Sequence, residues 1–257
     1  MAELLVWPAL VAYGEAALAY AGGLGTPLLR GRLAIWGVRL GWLAQTGLLV
    51  VQALRADGFP WGTWAAALNL FVWLVVGAYL MWGCNVRFRL LGALVMPPAA
   101  ALLIASWAGG GTGIKGGVHS GALLGAHVGL MLAGLAGLTI AAAMSALYLW
   151  EERSLKRRDS RLFRLRMPPL ETLDRLAARV AAVSLGLLSG GIVLGLARLR
   201  SGEFDAAMAV TLVLWLLVAT VLALRREVGL RGRRAATLLT GVVAFVAVVL
   251  PITHFAS

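Results

Sequence analysis

Long apolar runs separated by short polar breaks dominate this sequence. Each run has about twenty residues, which is the length of helix that crosses a hydrocarbon layer roughly 30 Å thick. The predicted helices lie near residues 4–22, 33–54, 61–82, 90–108, 121–150, 178–197, 206–224 and 235–254. The pattern therefore predicts an all-α fold: a polytopic integral membrane protein with a bundle of eight transmembrane helices.

The composition agrees with a membrane protein, because 61% of the residues are hydrophobic and only 13% are charged. A soluble domain carries roughly 25% charged residues. The net charge of +12 does not indicate a nucleic-acid partner, since the basic residues cluster beside the ends of apolar runs. We expect no cleaved signal peptide, because the first run contains Glu15 and leads directly into a second span.

The basic residues also predict the orientation. Alternate loops hold 18 Lys and Arg residues in one set and four in the other. The positive-inside rule assigns the richer set to the cytoplasm, which puts both termini outside. Cys84 then falls in an inner loop beside arginines, where it is expected to be a bystander.

The inner loop 151–177 contains "MPPLETLDRL", which is typical of a proline-led helix start. It is interpreted either as an amphipathic segment along the membrane surface or as a solvated run of charges.

Few polar side chains lie inside the predicted spans. A charge within a membrane is costly unless it is paired, so Glu15 and Arg39 are expected to meet in an ion pair. Gln45 and Asn69 are expected to form hydrogen bonds between helices rather than to bind a ligand.

The sequence has three histidines, at positions 119, 127 and 254. His127 lies 23 residues before the inner end of the fifth span, about 34 Å at 1.5 Å per residue. His254 lies 20 residues beyond the inner start of the eighth span, about 30 Å. Both are therefore predicted at the outer edge of the membrane, with His119 in the loop above them.

Two imidazoles at one depth can fill both axial positions of a heme iron. The alternative is that each histidine is merely tolerated at the interface, where water reaches it. Matching depth alone does not decide between these interpretations.

Several short motifs occur in a familiar order. A His-Val pair opens the fifth span, which ends in "YLWEERSLK"; "MPPLETLDRL" and a glycine-rich sixth span follow, and "GLRGRR" leads to the closing His254. In this order the sequence resembles the cytochrome c assembly family of heme-handling membrane proteins, and its HemX-like branch in particular. This branch is related to the larger CcsA-type heme lyase subunits and to the CcmC-type heme handlers. The C-terminal part, about 118–257, carries the stronger likeness, and the spans in 1–108 carry a weaker one, within one membrane domain over 1–257.

The resemblance implies heme b as cofactor, axial ligation by His127 and His254, and a bacterial cytoplasmic (inner) membrane location. An ordinary interfacial belt of tryptophans is the first explanation of Trp61, Trp64 and Trp107, which are also candidates to line a porphyrin cleft. Further candidates beside the heme are the propionate-binding arginines and a loop histidine: Arg55, Arg198 and His119.

This sequence also departs from that family. The outer loop before the seventh span reads "RLRSGEFDAAMA" and lacks the tryptophan-rich, aspartate-bearing segment of relatives that present heme for covalent attachment. Gln45 stands where larger relatives have a histidine within the membrane. We therefore predict a heme chaperone that is not an enzyme.

The predicted partners are heme, the lipid bilayer and other cytochrome c assembly subunits. The alternative function is a cofactor-free membrane scaffold whose basic inner loops recruit a soluble heme-biosynthesis enzyme, glutamyl-tRNA reductase, as the resemblance to HemX-like regulators implies.

Overall fold

A computed structural model describes residues 2–22, 28–82, 88–113, 121–157, 168–197 and 206–255. Within these residues the fold is all-α, as predicted. A short 3-10 turn, Ala2–Leu5, precedes the first helix. The α-helices are α1 Val6–Gly22, α2 Leu28–Arg55, α3 Trp64–Trp82, α4 Arg89–Ala108, α5 Ala122–Lys156, α6 Leu170–Leu196, α7 Ala206–Glu227 and α8 Arg233–Phe255.

Six of these helices are long and apolar enough to cross a membrane. They cover Ala34–Arg55, Trp64–Met81, Leu90–Ala108, Ala122–Lys156, Leu170–Leu196 and Met208–Glu227. The helix α1 is shorter, with 17 residues. Spanning by α1 and α8 stays a prediction from the sequence.

The start of α6 differs from the sequence interpretation. Pro169 caps the helix with an extended conformation (φ −56°, ψ 142°), and its carbonyl accepts hydrogen bonds from the backbone N–H groups of Thr172 and Leu173. The proline-led start is therefore confirmed. The interpretation as a separate segment along the membrane surface is wrong, because the helix continues without a break to Leu196 and Leu173 is already buried.

The chain divides into two compact units, residues 1–125 with 165–167, and 126–164 with 168–257. In the first unit α1 packs against α2 and α4, and α3 packs against α2 and α4. In the second unit α7 packs against both α6 and α8. The boundary falls inside α5, whose first turn belongs to the first unit.

A buried polar network runs through the first unit. Tyr13 donates a hydrogen bond to Gln45 (2.8 Å), whose amide donates to Asn69 Oδ1 (2.9 Å). Asn69 donates in turn to Gln52 (3.3 Å), and the Gln52 amide donates to the carbonyl of Gly111 (3.0 Å). These contacts confirm that Gln45 and Asn69 link helices, and they tie the loop after α4 to the bundle.

The expected ion pair between Glu15 and Arg39 is wrong. Both side chains are exposed, and neither joins an ion pair within the described residues. On α2, Gly37 and Gly41 face α1, so Arg39 between them points away from it and lies over the Trp36 ring at 5.2 Å. The two charges therefore occupy outward helix faces instead of a shared interior.

Candidate functional site

A row of small residues brings α5 and α6 into close contact. A Cβ added to Gly137 would lie 2.1 Å from Ser184 Oγ, and one added to Gly134 would lie 2.6 Å from Leu188 Cγ. On the opposite helix, a Cβ at Gly191 would lie 2.6 Å from Met131 Sδ. Side chains at these glycines would force the helices apart. We call this contact the glycine seam.

His127 lies at one end of the glycine seam. Its Nδ1 is 2.7 Å from the backbone carbonyl oxygen of Gly191, and its ring lies against Gly195. A Cβ at Gly195 would be 2.9 Å from the His127 Cε1 atom, 3.2 Å from Nδ1 and 3.8 Å from Nε2. The imidazole therefore presents its Nδ1 edge to α6.

This hydrogen bond fixes the tautomer of His127. A carbonyl oxygen only accepts, so Nδ1 must carry the proton and donate it. In the neutral ring, the lone pair then lies on Nε2, which has no hydrogen-bond partner among the described residues. Metal-binding histidines commonly show this arrangement, in which one nitrogen donates to a backbone carbonyl and the other binds the metal. The donor set at His127 thus fits an iron ligand.

The opposite end of the second unit is held by a polar cluster around Asp174. The carboxylate of Asp174 accepts two hydrogen bonds from Arg225, at 2.9 and 2.6 Å, and one from the Gly232 backbone N–H at 3.1 Å. Gly232 has a positive φ of 67°, which favours glycine. A Cβ at Gly232 would lie 3.0 Å from the Tyr148 hydroxyl. We call these residues, which connect α5 to α8, the Asp174 cluster.

The Asp174 cluster provides a common reference point for the positions of His127 and His254 along their helices. His127 precedes Tyr148 by 21 residues, and His254 follows Gly232 by 22 residues. These lengths correspond to about 32 and 33 Å of helix. The helical backbone of α8 includes position 254, but the His254 side chain is outside the described set. The distance between the two imidazoles stays a prediction.

The candidate residues of the first unit gather at one end of its helices. Trp107 packs edge-on against Trp7, with ring centroids 5.1 Å apart, and Trp64 lies over Gly109. Trp64 and Trp107 remain 46% and 39% exposed, so both present aromatic surface outward. Trp61 is partly buried and donates a long hydrogen bond of 3.4 Å to Gln52.

The remaining candidates are less defined. Arg55 is exposed at the end of α2, which is the same end of the first unit. His119 and Arg198 lie outside the described residues, as do Phe204 and Asp205 in the loop before α7. Within the part of the chain that the structure describes, no group of three or more His, Cys, Asp or Glu side chains could hold a metal ion.

Sequence reasoning did not assign a role to Gly191, Gly195 or Asp174. The spacing of Gly191 and Gly195, four residues apart in an apolar helix, is the small-residue pattern of close helix pairs and was an available signal. That pattern identifies a packing face, but it does not identify the helix on the other side.

The family model for cytochrome c assembly proteins matches residues 61–257. The chain belongs to the cytochrome c assembly family. Members of this family handle heme during cytochrome c maturation, and the apolar helices make this member a multi-pass membrane protein. The match contains α3 to α8 and therefore all three histidines. Comparison with curated proteins and with solved structures finds no match.

Proposed function

We propose that this member of the cytochrome c assembly family binds heme b near the outer face of the membrane, with His127 and His254 as axial ligands. It holds the heme, or transfers it, for cytochrome c assembly and acts as a chaperone rather than as an enzyme. The chain would cross the bacterial cytoplasmic membrane eight times, with both termini outside.

The observation that carries this proposal is the hydrogen bond from His127 Nδ1 to the Gly191 carbonyl. It orients the imidazole and leaves Nε2 available for iron. The nearly equal helix lengths from the Asp174 cluster to His127 and His254 support a second ligand at the same level.

Trp64, Trp107 and Arg55 stay candidates from the sequence alone, the two aromatic rings for a porphyrin and the guanidinium for a propionate. When bound, the heme supplies the iron that the two imidazoles hold. The protein's part is to orient those imidazoles and to keep the porphyrin within reach of an outer partner. That partner would be another assembly subunit, and cargo transfer of this kind needs no catalytic side chain.

The absorption spectrum of the purified protein tests heme binding. We expect a Soret band that is lost when His127 and His254 are both replaced by alanine. The variant His119→Ala provides the comparison, because it removes the third imidazole, which is a candidate beside the heme but not an axial ligand, and its Soret band should remain. A Soret band that survives unchanged in the double variant would show that the ligand assignment is wrong.

A second candidate is a cofactor-free scaffold that recruits a soluble heme-biosynthesis enzyme. It is favoured by exposed arginines around the Asp174 cluster, including Arg226, Arg231 and Arg233. A colourless preparation that does not take up added heme, and that retains glutamyl-tRNA reductase from solution, would support this candidate instead.

A further inference from the structure

We propose that Gly191 and Gly195 are positioning residues for the His127 imidazole. Gly195 leaves the space that the ring occupies, and the Gly191 carbonyl accepts a hydrogen bond from its Nδ1–H, so that α6 sets both the ring position and the tautomer. This inference rests on the proposed function for its consequence at iron, but its structural part applies to the heme-free protein.

The geometry at Gly195 leaves little room for another side chain. The His127 Cε1 and Nδ1 atoms lie 2.9 and 3.2 Å from the position of an added Cβ, both closer than ordinary van der Waals contact. Alanine at this position must displace the ring. Ordinary contact begins at 3.4 Å, so the ring must move by at least about 0.5 Å. A movement of that size away from α6 would stretch the 2.7 Å hydrogen bond to Gly191 to about 3.2 Å, the upper end of the normal range, and weaken it.

The hydrogen bond also has a chemical consequence. When Nδ1–H donates a hydrogen bond, more electron density remains on Nε2, and the imidazole becomes a stronger ligand. Without this bond, the ring could exchange between its two neutral tautomers, and only one of them offers Nε2 to iron. Gly191 and Gly195 would therefore raise the fraction of the protein that is ready to bind.

Nitrogen-15 NMR of histidine-labelled, heme-free protein in detergent tests the structural part. We expect His127 to be in the Nδ1–H tautomer in the parent protein and to become a mixture of tautomers in Gly195→Ala. The matched control is Gly186→Ala, which changes a glycine of the same helix with no heavy atom within 4 Å of its added Cβ. An unchanged His127 tautomer in folded Gly195→Ala would overturn the inference.

Heme release separates this inference from the proposed function. Transfer of heme to apomyoglobin should be about tenfold faster from Gly195→Ala than from Gly186→Ala, the effect of losing one hydrogen bond. If His127→Ala weakens heme binding but Gly195→Ala does not, the positioning role is wrong and the ligand assignment stands. If neither change affects heme binding while the tautomer responds to Gly195→Ala, the positioning role stands and the ligand assignment is wrong.

A rescue experiment tests the Gly191 carbonyl without altering α6. His127→Gly removes the imidazole, and added imidazole should restore the spectrum of the heme-loaded protein. Imidazole has an N–H that can donate to Gly191, whereas 1-methylimidazole has none. We expect half-maximal rescue at an imidazole concentration about tenfold below that for 1-methylimidazole. Equal concentrations for both compounds would overturn the role of Gly191.

Discussion

Hydrogen bonds to backbone groups orient two side chains of the second unit. His127 donates to the carbonyl of Gly191, and Asp174 accepts from the N–H of Gly232. Asp174 also forms a two-bond pair with Arg225, in which both side chains are largely buried. Arginine–carboxylate pairs with two hydrogen bonds are among the stronger hydrogen-bonded contacts in proteins. Removing one partner of a buried pair leaves the other charge unpaired.

Removal of the Asp174 carboxylate should therefore be costly. We expect Asp174→Ala to lower the free energy of unfolding in mixed micelles by about 2 to 3 kcal/mol, because Arg225 and the Gly232 N–H lose their acceptor. Asp174→Asn should cost less, since its amide oxygen still accepts one bond. The control is Glu171→Gln, which breaks an exposed pair with Arg175 on the same helix and should cost less than about 1 kcal/mol. Equal losses for Asp174→Ala and Glu171→Gln would contradict this account.

Residue-level prediction succeeded where the residue type left few options. Gln45 and Asn69 are amides in apolar helices, and both are fully buried and bonded across helices. The prediction failed for Glu15 and Arg39, because a shared depth does not show which face of each helix carries the charge. The same limit applies to His127 and His254, whose sequence positions fix depth and not direction.

At the scale of the helix, packing is decided by where glycine replaces a side chain. The glycine seam lets α5 and α6 approach at Gly134, Gly137 and Gly191. Other glycines of the same helices, such as Gly129 and Gly186, have no neighbouring heavy atom within 4 Å of an added Cβ. The sequence alone does not separate these two groups, because each glycine lies in a similar apolar run.

A pair of alanine variants on α5 tests the seam. Gly137→Ala should destabilise the protein by about 1 to 3 kcal/mol, because its Cβ would lie 2.1 Å from Ser184 Oγ. Gly129→Ala should be neutral or slightly stabilising, because alanine favours helix more than glycine. Unfolding in mixed micelles measures both. A Gly137→Ala protein as stable as Gly129→Ala would show that the helices do not approach closely there.

The helix bounds were largely predictable, because the span length of apolar runs is set by the bilayer. The α1, α4 and α8 bounds lie within two residues of the predicted runs. The start of α6 was not predictable in this way, because the first turns of the helix carry charged residues and lie outside the apolar run. Hydropathy detects the part of a helix in lipid and misses a polar extension of the same helix.

At the scale of the whole molecule, the asymmetry of basic residues predicts the orientation in the membrane. Cys84, the sole cysteine, lies outside the described residues in a predicted inner loop. We expect a membrane-impermeant maleimide to leave Cys84 unlabelled in intact cells and to label it after permeabilisation. In a Cys84→Ala background, Gly121→Cys before α5 should be labelled in intact cells. The reverse labelling pattern would show that the protein has the opposite orientation in the membrane.

The most direct test of the central claim is electron paramagnetic resonance of the ferric, heme-loaded protein and its single histidine variants. Two imidazoles on one iron give a low-spin signal. We predict a low-spin signal in the parent protein and a high-spin signal in both His127→Ala and His254→Ala, since each variant retains one axial ligand. A low-spin signal that persists unchanged in either variant would contradict axial ligation by this pair.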